Sequence, residues 1–122
     1  MLAVSLIPES CACGCGELVQ HAISFIEQNY RRDISRAEVA GYVHITPNYL
    51  SKLFCREVGM SLREYINICR IHEAWKQLAE TDEPISRIAL DVGFENISYF
   101  STVFRRHCGV SPVEWRSAVT AK

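Results

Sequence analysis

Little in this sequence points away from an ordinary folded domain. The 122 residues include only four prolines and six glycines, and no apolar run approaches the ~20 residues that a membrane-spanning helix needs. Lys and Arg number 13 against 14 Asp and Glu; the net charge of −1 argues against a histone-like nucleic-acid binder, though not against one built on local patches. The N-terminus lacks the basic start and cleavage site of a signal peptide. We therefore expect a cytoplasmic protein that has no membrane contact and, at 48% hydrophobic residues, buries a core.

The six cysteines do not predict a disulfide framework, because nothing in the sequence signals export. Cys11, Cys13 and Cys15 form an unusual cluster, Cys-Ala-Cys-Gly-Cys, whose closely spaced thiols could hold a soft metal ion. Structural zinc sites, however, combine two spaced cysteine pairs, and a second pair is missing. We expect residues 1–16 to be a linker or a disordered N-terminus and no cofactor to be bound. A thiol- or metal-responsive regulator is the alternative.

Helical periodicity and capping signals begin at residue 17. Apolar residues recur at three- and four-residue steps across residues 17–30, which predicts an amphipathic helix. Ser35, Thr46 and Ser61 are N-cap residues at the start of three further apolar patterns. The last of these patterns runs to about residue 80 and, at ~1.5 Å per residue, predicts a helix about 30 Å long.

The second half of the chain repeats the first. Residues 46–65 align without gaps on residues 96–115, with seven of 20 positions identical. The identical pairs are Tyr49/Tyr99, Ser51/Ser101, Phe54/Phe104, Arg56/Arg106, Gly59/Gly109, Ser61/Ser111 and Glu64/Glu114. Upstream, residues 39–45 match residues 88–94 at an offset of 49, so the second copy has one extra residue. The sequence is therefore a tandem duplication.

Each copy has the pattern of a helix-turn-helix, which is a short amphipathic helix, a tight turn and a capped second helix. The turn passes through His44 in the first copy and Gly93 in the second, two residue types that tolerate positive φ. A plain helical hairpin has similar amphipathicity, so the exposed face of the second helix helps to decide between the two. That face carries Asn48, Ser51, Lys52, Cys55 and Arg56 in the first copy and Ser98, Ser101, Thr102, Arg105 and Arg106 in the second.

The composition of these two faces favours DNA binding. Amides, hydroxyls and cations near a helix N-terminus can reach base edges, and cations further along can meet phosphates. Residues 46–79 carry five Lys or Arg against three acids and residues 96–116 carry three against one, whereas residues 80–95 carry one against five. The near-zero net charge thus conceals two cationic patches, although a solvated helix face would show the same pattern.

Two long motifs in the second copy are more specific than this charge pattern. Ile85-Ser-Arg-Ile-Ala-Leu-Asp-Val-Gly-Phe94 is followed by Ser98-Tyr-Phe-Ser-Thr-Val-Phe-Arg-Arg-His-Cys-Gly-Val-Ser-Pro-Val-Glu-Trp-Arg116. The first copy has the matching segments Pro47-x-Tyr-Leu-Ser-x-Leu-Phe54 and Gly59-Met-Ser-x-x-Glu-Tyr-Ile66. Through these motifs, nearly all of residues 17–117 resembles the DNA-binding domain of the AraC/XylS family of bacterial transcription regulators.

The resemblance implies an all-α, seven-helix domain whose two helix-turn-helix subdomains each place a recognition helix in one of two successive major grooves of promoter DNA. The resemblance implies an AraC-type DNA-binding domain over 17–117, followed by a C-terminal tail at 118–122. Within the domain it implies a first helix-turn-helix at about 35–58, a linker helix at about 61–80 and a second helix-turn-helix at about 85–108. Family members usually carry a further domain. The resemblance therefore implies a missing N-terminal sensory or receiver domain, and RNA polymerase as a second partner.

The resemblance also assigns contact residues by position. Bases would be contacted by Asn48, Ser51 and Lys52 of the first recognition helix and by Ile97, Ser98, Ser101 and Thr102 of the second, and phosphates by Arg56, Arg105 and Arg106. A helical protein-interaction module that binds no DNA is the other alternative function. An enzyme is not predicted, because Cys69 and His72, three residues apart, have no orienting partner or oxyanion site in the sequence.

Overall fold

The computed structural model describes residues 16–120, and this part of the chain contains seven α-helices and no β-strand. The helices are α1 (Glu17–Asn29), α2 (Arg36–Tyr42), α3 (Pro47–Val58), α4 (Leu62–Glu80), α5 (Ile85–Asp91), α6 (Ile97–Cys108) and α7 (Pro112–Thr120). This confirms the predicted all-α, seven-helix fold. The described residues divide into a first unit, residues 16–67, and a second unit, residues 68–120, and α4 contributes to both.

In the first unit, α1, α2 and α3 pack against one another in pairs. Their apolar faces supply the buried residues Val19, Ala22, Ile23, Ile26, Val39, Ala40, Leu50, Leu53, Phe54 and Val58. Tyr65, at the start of α4, closes this core: its ring meets Phe54 edge-on at 5.5 Å, and its hydroxyl donates to Glu27 Oε2 at 3.1 Å. The buried face of α3 is thereby fixed, and its opposite face is left to solvent.

In the second unit, α6 packs against both α5 and α7. The buried residues of α5 and α6 are Ile88, Ala89, Phe100, Val103, Phe104 and Cys108. Trp75 of α4 stacks on Trp115 of α7 at 4.9 Å, and Trp115 Nε1 donates to the Trp75 carbonyl at 3.1 Å. The Arg116 guanidinium also donates to the Thr81 carbonyl at 3.1 Å, so α7 is tied to the end of α4.

The helices begin and end close to the residues that the capping signals predict. Ser35 Oγ accepts from the Glu38 amide at 3.1 Å, Thr46 Oγ1 from the Tyr49 amide at 3.2 Å, and Ser61 Oγ from the Glu64 amide at 3.1 Å. At the other end of the chain, α7 continues to Thr120, so residues 118–120 of the expected tail are helical. Residues 1–15, 121 and 122 lie outside the described part.

Candidate nucleic-acid interface

The turn between the two helices begins in the same way in both units. In the first unit the Ile45 amide donates to the Ala40 carbonyl at 3.0 Å, and in the second the Phe94 amide donates to the Ala89 carbonyl at 2.9 Å. Both turns contain a left-handed residue, His44 with φ 63° and Gly93 with φ 114°. The positive φ expected at these two positions is confirmed. The two turns therefore share their first part, and the second turn, residues 92–96, is one residue longer than the first, residues 43–46.

The helices that follow, α3 and α6, also start and end alike. Asn96 caps α6 through its side-chain oxygen, which accepts from the Tyr99 amide at 2.9 Å, as Thr46 caps α3. Gly59 and Gly109 end the two helices with φ of 88° and 85°. Glycine adopts this left-handed conformation without the Cβ clash that other residues meet. Both helices have 12 residues, so the duplicated sequence yields duplicated recognition-helix geometry.

Burial along α3 is repeated position by position along α6, from Asn48 to Val58 and from Ser98 to Cys108. Each helix buries the four residues that face its own unit, which are Leu50, Leu53, Phe54 and Val58 in α3 and Phe100, Val103, Phe104 and Cys108 in α6. The opposite face of each helix is exposed. We call the exposed face of α3 the first stripe and that of α6 the second stripe.

The first stripe consists of Asn48, Ser51, Lys52, Cys55 and Arg56, as the sequence predicts. All are exposed except Ser51, which is half-buried and has a neighbouring side chain within hydrogen-bond distance. That neighbour is Arg36, the first residue of α2, whose Nη1 donates to Ser51 Oγ at 3.1 Å. Together with Arg36, the stripe thus offers one amide, one ammonium and two guanidinium groups, which can donate to base edges and phosphates.

The second stripe consists of Ile97, Ser98, Ser101, Thr102, Arg105 and Arg106. Ser101 is half-buried, like its counterpart in α3, and the other five are exposed. The Thr102 hydroxyl donates to the Ser98 carbonyl at 3.1 Å, and the side chain of Thr102 is exposed. A methyl group suits apolar contact with the thymine methyl. The structure brings the predicted residues of each stripe together within that unit.

The sequence prediction missed three exposed side chains next to the stripes. Arg36 belongs to α2 and reaches α3 only through the fold, so no local sequence signal reveals it. Tyr49 and Tyr99 are 49% and 39% exposed, one on each recognition helix. Their signal was present in the sequence, because they are an identical pair of the duplication.

Two acidic side chains, Glu38 and Glu114, already accept hydrogen bonds within the protein. The Arg32 guanidinium donates to the Glu38 carboxylate, and this hydrogen bond holds the pKa of Glu38 below its ordinary value. In the second unit, the Ser111 amide donates to Glu114 Oε1 at 2.9 Å and lowers the pKa of that carboxyl group. Both acids are therefore ionised at neutral pH.

Metal-site geometry is absent from residues 16–120, where no three His, Cys, Asp or Glu side chains come together. Burial raises the pKa of the Cys108 thiol to about 12, so it stays protonated at neutral pH and is a poor ligand. The predicted alternative site, Cys11, Cys13 and Cys15, lies outside the described residues. No helix within 16–120 is long and apolar enough to cross a bilayer.

The sequence is similar to a known domain family and to known proteins. A helix-turn-helix domain family matches residues 39–118, and the lactose operon transcription activator of Staphylococcus xylosus is 38% identical over 100 residues. That alignment covers 82% of this chain and 36% of the relative. The chain therefore spans about a third of the length of the curated relatives it matches.

Solved structures share this fold over most of the chain. The C-terminal domain of AraT, a response regulator from Geobacillus stearothermophilus, superimposes with a TM-score of 0.80 at 32% identity, covering 84% of this chain and 86% of that one. A Chromobacterium violaceum transcriptional regulator with an AraC-type DNA-binding domain gives a TM-score of 0.78 at 28% identity, covering 84% and 92%. The duplicated helix-turn-helix, the family match and these neighbours agree: the chain belongs to the AraC-type helix-turn-helix family.

Proposed function

We propose that this chain is the sequence-specific DNA-binding part of a bacterial transcription regulator and that α3 and α6 each enter a major groove. The observation that carries the proposal is the repeated face of polar and cationic side chains, exposed at the same positions of two helices that have equivalent caps and equal length. An α-helix fits the major groove, where each base pair presents its own pattern of donors and acceptors. The proposal is also supported by a relative, the lactose operon transcription activator of Staphylococcus xylosus, whose name describes a transcription regulator.

Residue roles follow from position along each helix. The N-terminal half of a recognition helix faces base edges, and cations near its end meet phosphates. We propose base contacts by Asn48, Ser51, Lys52, Ile97, Ser98, Ser101 and Thr102, and phosphate contacts by Arg56, Arg105 and Arg106. Lys52 carries the strongest base-reading chemistry of the first stripe, because an ammonium group donates to the O6 and N7 acceptors of guanine.

The two recognition helices are proposed to use successive grooves of a single site. The helix between the two helix-turn-helix units, α4, has 19 residues and is about 29 Å long. Major grooves recur on one side of B-DNA every ~34 Å. Because the two stripes differ in sequence, the bound site should be asymmetric, and a modest bend of the duplex would cost about 1–6 kcal/mol.

The whole protein is proposed to contain more than this chain. Because the curated relatives are about three times longer, we propose an N-terminal sensory or receiver domain, with RNA polymerase as the partner at the promoter. We also propose that the chain works in the cytoplasm and catalyses no reaction. Its chemistry is binding by hydrogen bonds and ion pairs.

Selection of duplexes from a random pool tests this function. Purified chain is mixed with random double-stranded DNA at low salt, bound duplexes are recovered and sequenced, and the affinity for the selected site is measured as salt rises. We expect a selected motif with two separated segments and an affinity that falls steeply with salt. Failure to bind any duplex at low salt would favour the protein-interaction alternative, and binding without a motif would contradict sequence-specific recognition.

A further inference from the structure

The side chain of Arg36 lies against the recognition helix although it belongs to the helix before it. Arg36 is the first residue of α2, directly after the N-cap Ser35, and its Nη1 is 3.1 Å from Ser51 Oγ on α3. Both residues belong to the first unit, and Arg36 is exposed. A fully charged group is therefore fixed beside the first stripe by a residue of that stripe.

The position of Ser51 on α3 shows which edge of the helix this charge occupies. At ~100° per residue, Ser51 lies about 85° from the middle of the buried face, whereas Lys52 lies about 175° from it, close to the centre of the exposed face. Arg36 therefore sits at the flank of α3 next to α2, away from the centre of the exposed face. In helix-turn-helix proteins the first helix crosses the DNA backbone, so this flank is the one that adjoins phosphates.

The hydrogen bond to Ser51 leaves most of the guanidinium available. Of five N–H donors, the contact uses one, and the remaining four keep the planar fork that matches two phosphate oxygens. An arginine held in place before binding also loses less conformational entropy when it meets its ligand. Ser51 accepts through its oxygen, so its own hydroxyl hydrogen is still available to the DNA.

The second unit lacks the equivalent cation in its sequence. At the offset of 49 that relates the two turns, Arg36 corresponds to Ile85, and each is the first residue of its helix. Ser51 has its counterpart in Ser101. The serine is therefore present in both copies and the arginine in the first alone, which makes the two units chemically unequal at this edge.

We propose that Arg36, positioned by Ser51, binds a DNA phosphate at the edge of the groove that α3 enters. This inference rests on the proposed DNA-binding function and adds a phosphate contact from outside the recognition helices. It gives the first unit a backbone anchor that the second unit does not have at the corresponding position. Arg36 should then contribute affinity without contributing sequence preference.

Affinity measurements on Arg36 and Ser51 variants test the proposal with the selected duplex. Arg36→Ala should weaken binding about tenfold, the lower end for a hydrogen bond to a charged group, and should reduce the salt slope by about one unit. Arg36→Lys should restore the slope, because lysine keeps the charge. Ser51→Ala should cost less in the Arg36→Ala background than in the wild type, since its positioning role is lost with the arginine.

A scan with methylphosphonate linkages locates the contact. Each phosphate of the selected site is neutralised in turn; one of them should weaken the binding of the wild type but leave the Arg36→Ala variant unaffected. Arg87→Ala is the matched control, since Arg87 is an exposed arginine on the corresponding helix of the second unit. Thermal melting of each variant checks that folding is unchanged.

Several results would overturn the proposal. If the selected motif changes in Arg36→Ala, Arg36 contacts a base and not a phosphate. If Arg36→Ala and Arg87→Ala weaken DNA binding equally, Arg36 acts only through the net charge of the chain. Additive losses for Arg36→Ala and Ser51→Ala would remove the positioning role of Ser51. In each of these cases the wild type still binds its site, whereas failure of the proposed function itself leaves no binding by any variant.

Discussion

The duplicated packing predicts that two equivalent core residues contribute equally to the free energy of unfolding. Phe54 and Phe104 are an identical pair of the repeat, both fully buried, and each ring packs against another aromatic ring, Tyr65 at 5.5 Å and Phe100 at 5.7 Å. Replacing a buried phenylalanine by alanine costs about 3–5 kcal/mol through lost transfer free energy and the cavity left behind. We expect Phe54→Ala and Phe104→Ala each to lower the free energy of unfolding by about that amount.

Urea denaturation followed by circular dichroism measures this loss. With a slope of about 2 kcal/mol per molar urea, a loss of 4 kcal/mol lowers the transition midpoint by about 2 M. Domains of this size are stable by about 5–15 kcal/mol, so the native state should remain populated in the absence of urea. Lys52→Ala is the matched control on the exposed face of α3 and should stay within about 0.5 kcal/mol of the wild type.

Unequal losses of unfolding free energy in the two units would contradict the equal contribution of Phe54 and Phe104. If Phe54→Ala cost about 4 kcal/mol and Phe104→Ala less than about 1 kcal/mol, the repeated burial would not correspond to repeated packing energy. A large loss in Lys52→Ala would contradict the assignment of that face to solvent.

Further predictions concern binding and pH. Lys52→Ala should weaken binding to the selected site by about 1–3 kcal/mol and relax the preference at one base pair. The control variant Lys76→Ala, which changes an exposed lysine of α4, should leave the motif unchanged. An unchanged motif in Lys52→Ala would contradict the placement of α3. Arg105→Ala should weaken all sequences alike and lower the salt slope by about one unit, as competition titrations at several salt concentrations would measure. The pKa of Glu114 is lowered in the folded state by its hydrogen bonds from Ser111, so its stabilising contribution is present above the ordinary carboxyl pKa of about 4.3 and is lost as the pH falls through the lower folded value. Urea midpoints should therefore separate wild type from Glu114→Gln at pH 7 and converge towards pH 3; a constant gap would show that charge plays no part.

Local sequence signals account for the features of the fold that were predicted well. The caps at Ser35, Thr46 and Ser61 and the positive φ of His44 and Gly93 depend on a few neighbouring residues, so residue type and spacing reveal them. The burial of α3 and α6 follows from helical periodicity in the same way. The duplication made these local signals more secure, because each was seen twice.

Contacts between distant residues could not be predicted from the sequence. The hydrogen bond between Arg36 and Ser51 joins residues 15 positions apart, and the stacking of Trp75 on Trp115 joins residues 40 positions apart. Both depend on how helices pack, which residue types alone do not specify. The sequence therefore identified the stripe residues on each recognition helix but not the arginine that the preceding helix adds beside them.

The central claim is that one chain reads two successive major grooves, and insertion of five base pairs between the two selected segments tests it most directly. Half a helical turn moves one segment to the far side of the duplex, so one unit loses its contacts. We expect affinity to fall at least tenfold, with the footprint shrinking to about one groove, because even a single mismatched base pair costs about 1–3 kcal/mol. Unchanged affinity for the five-base-pair insertion, or a footprint confined to one groove on the original site, would contradict the claim.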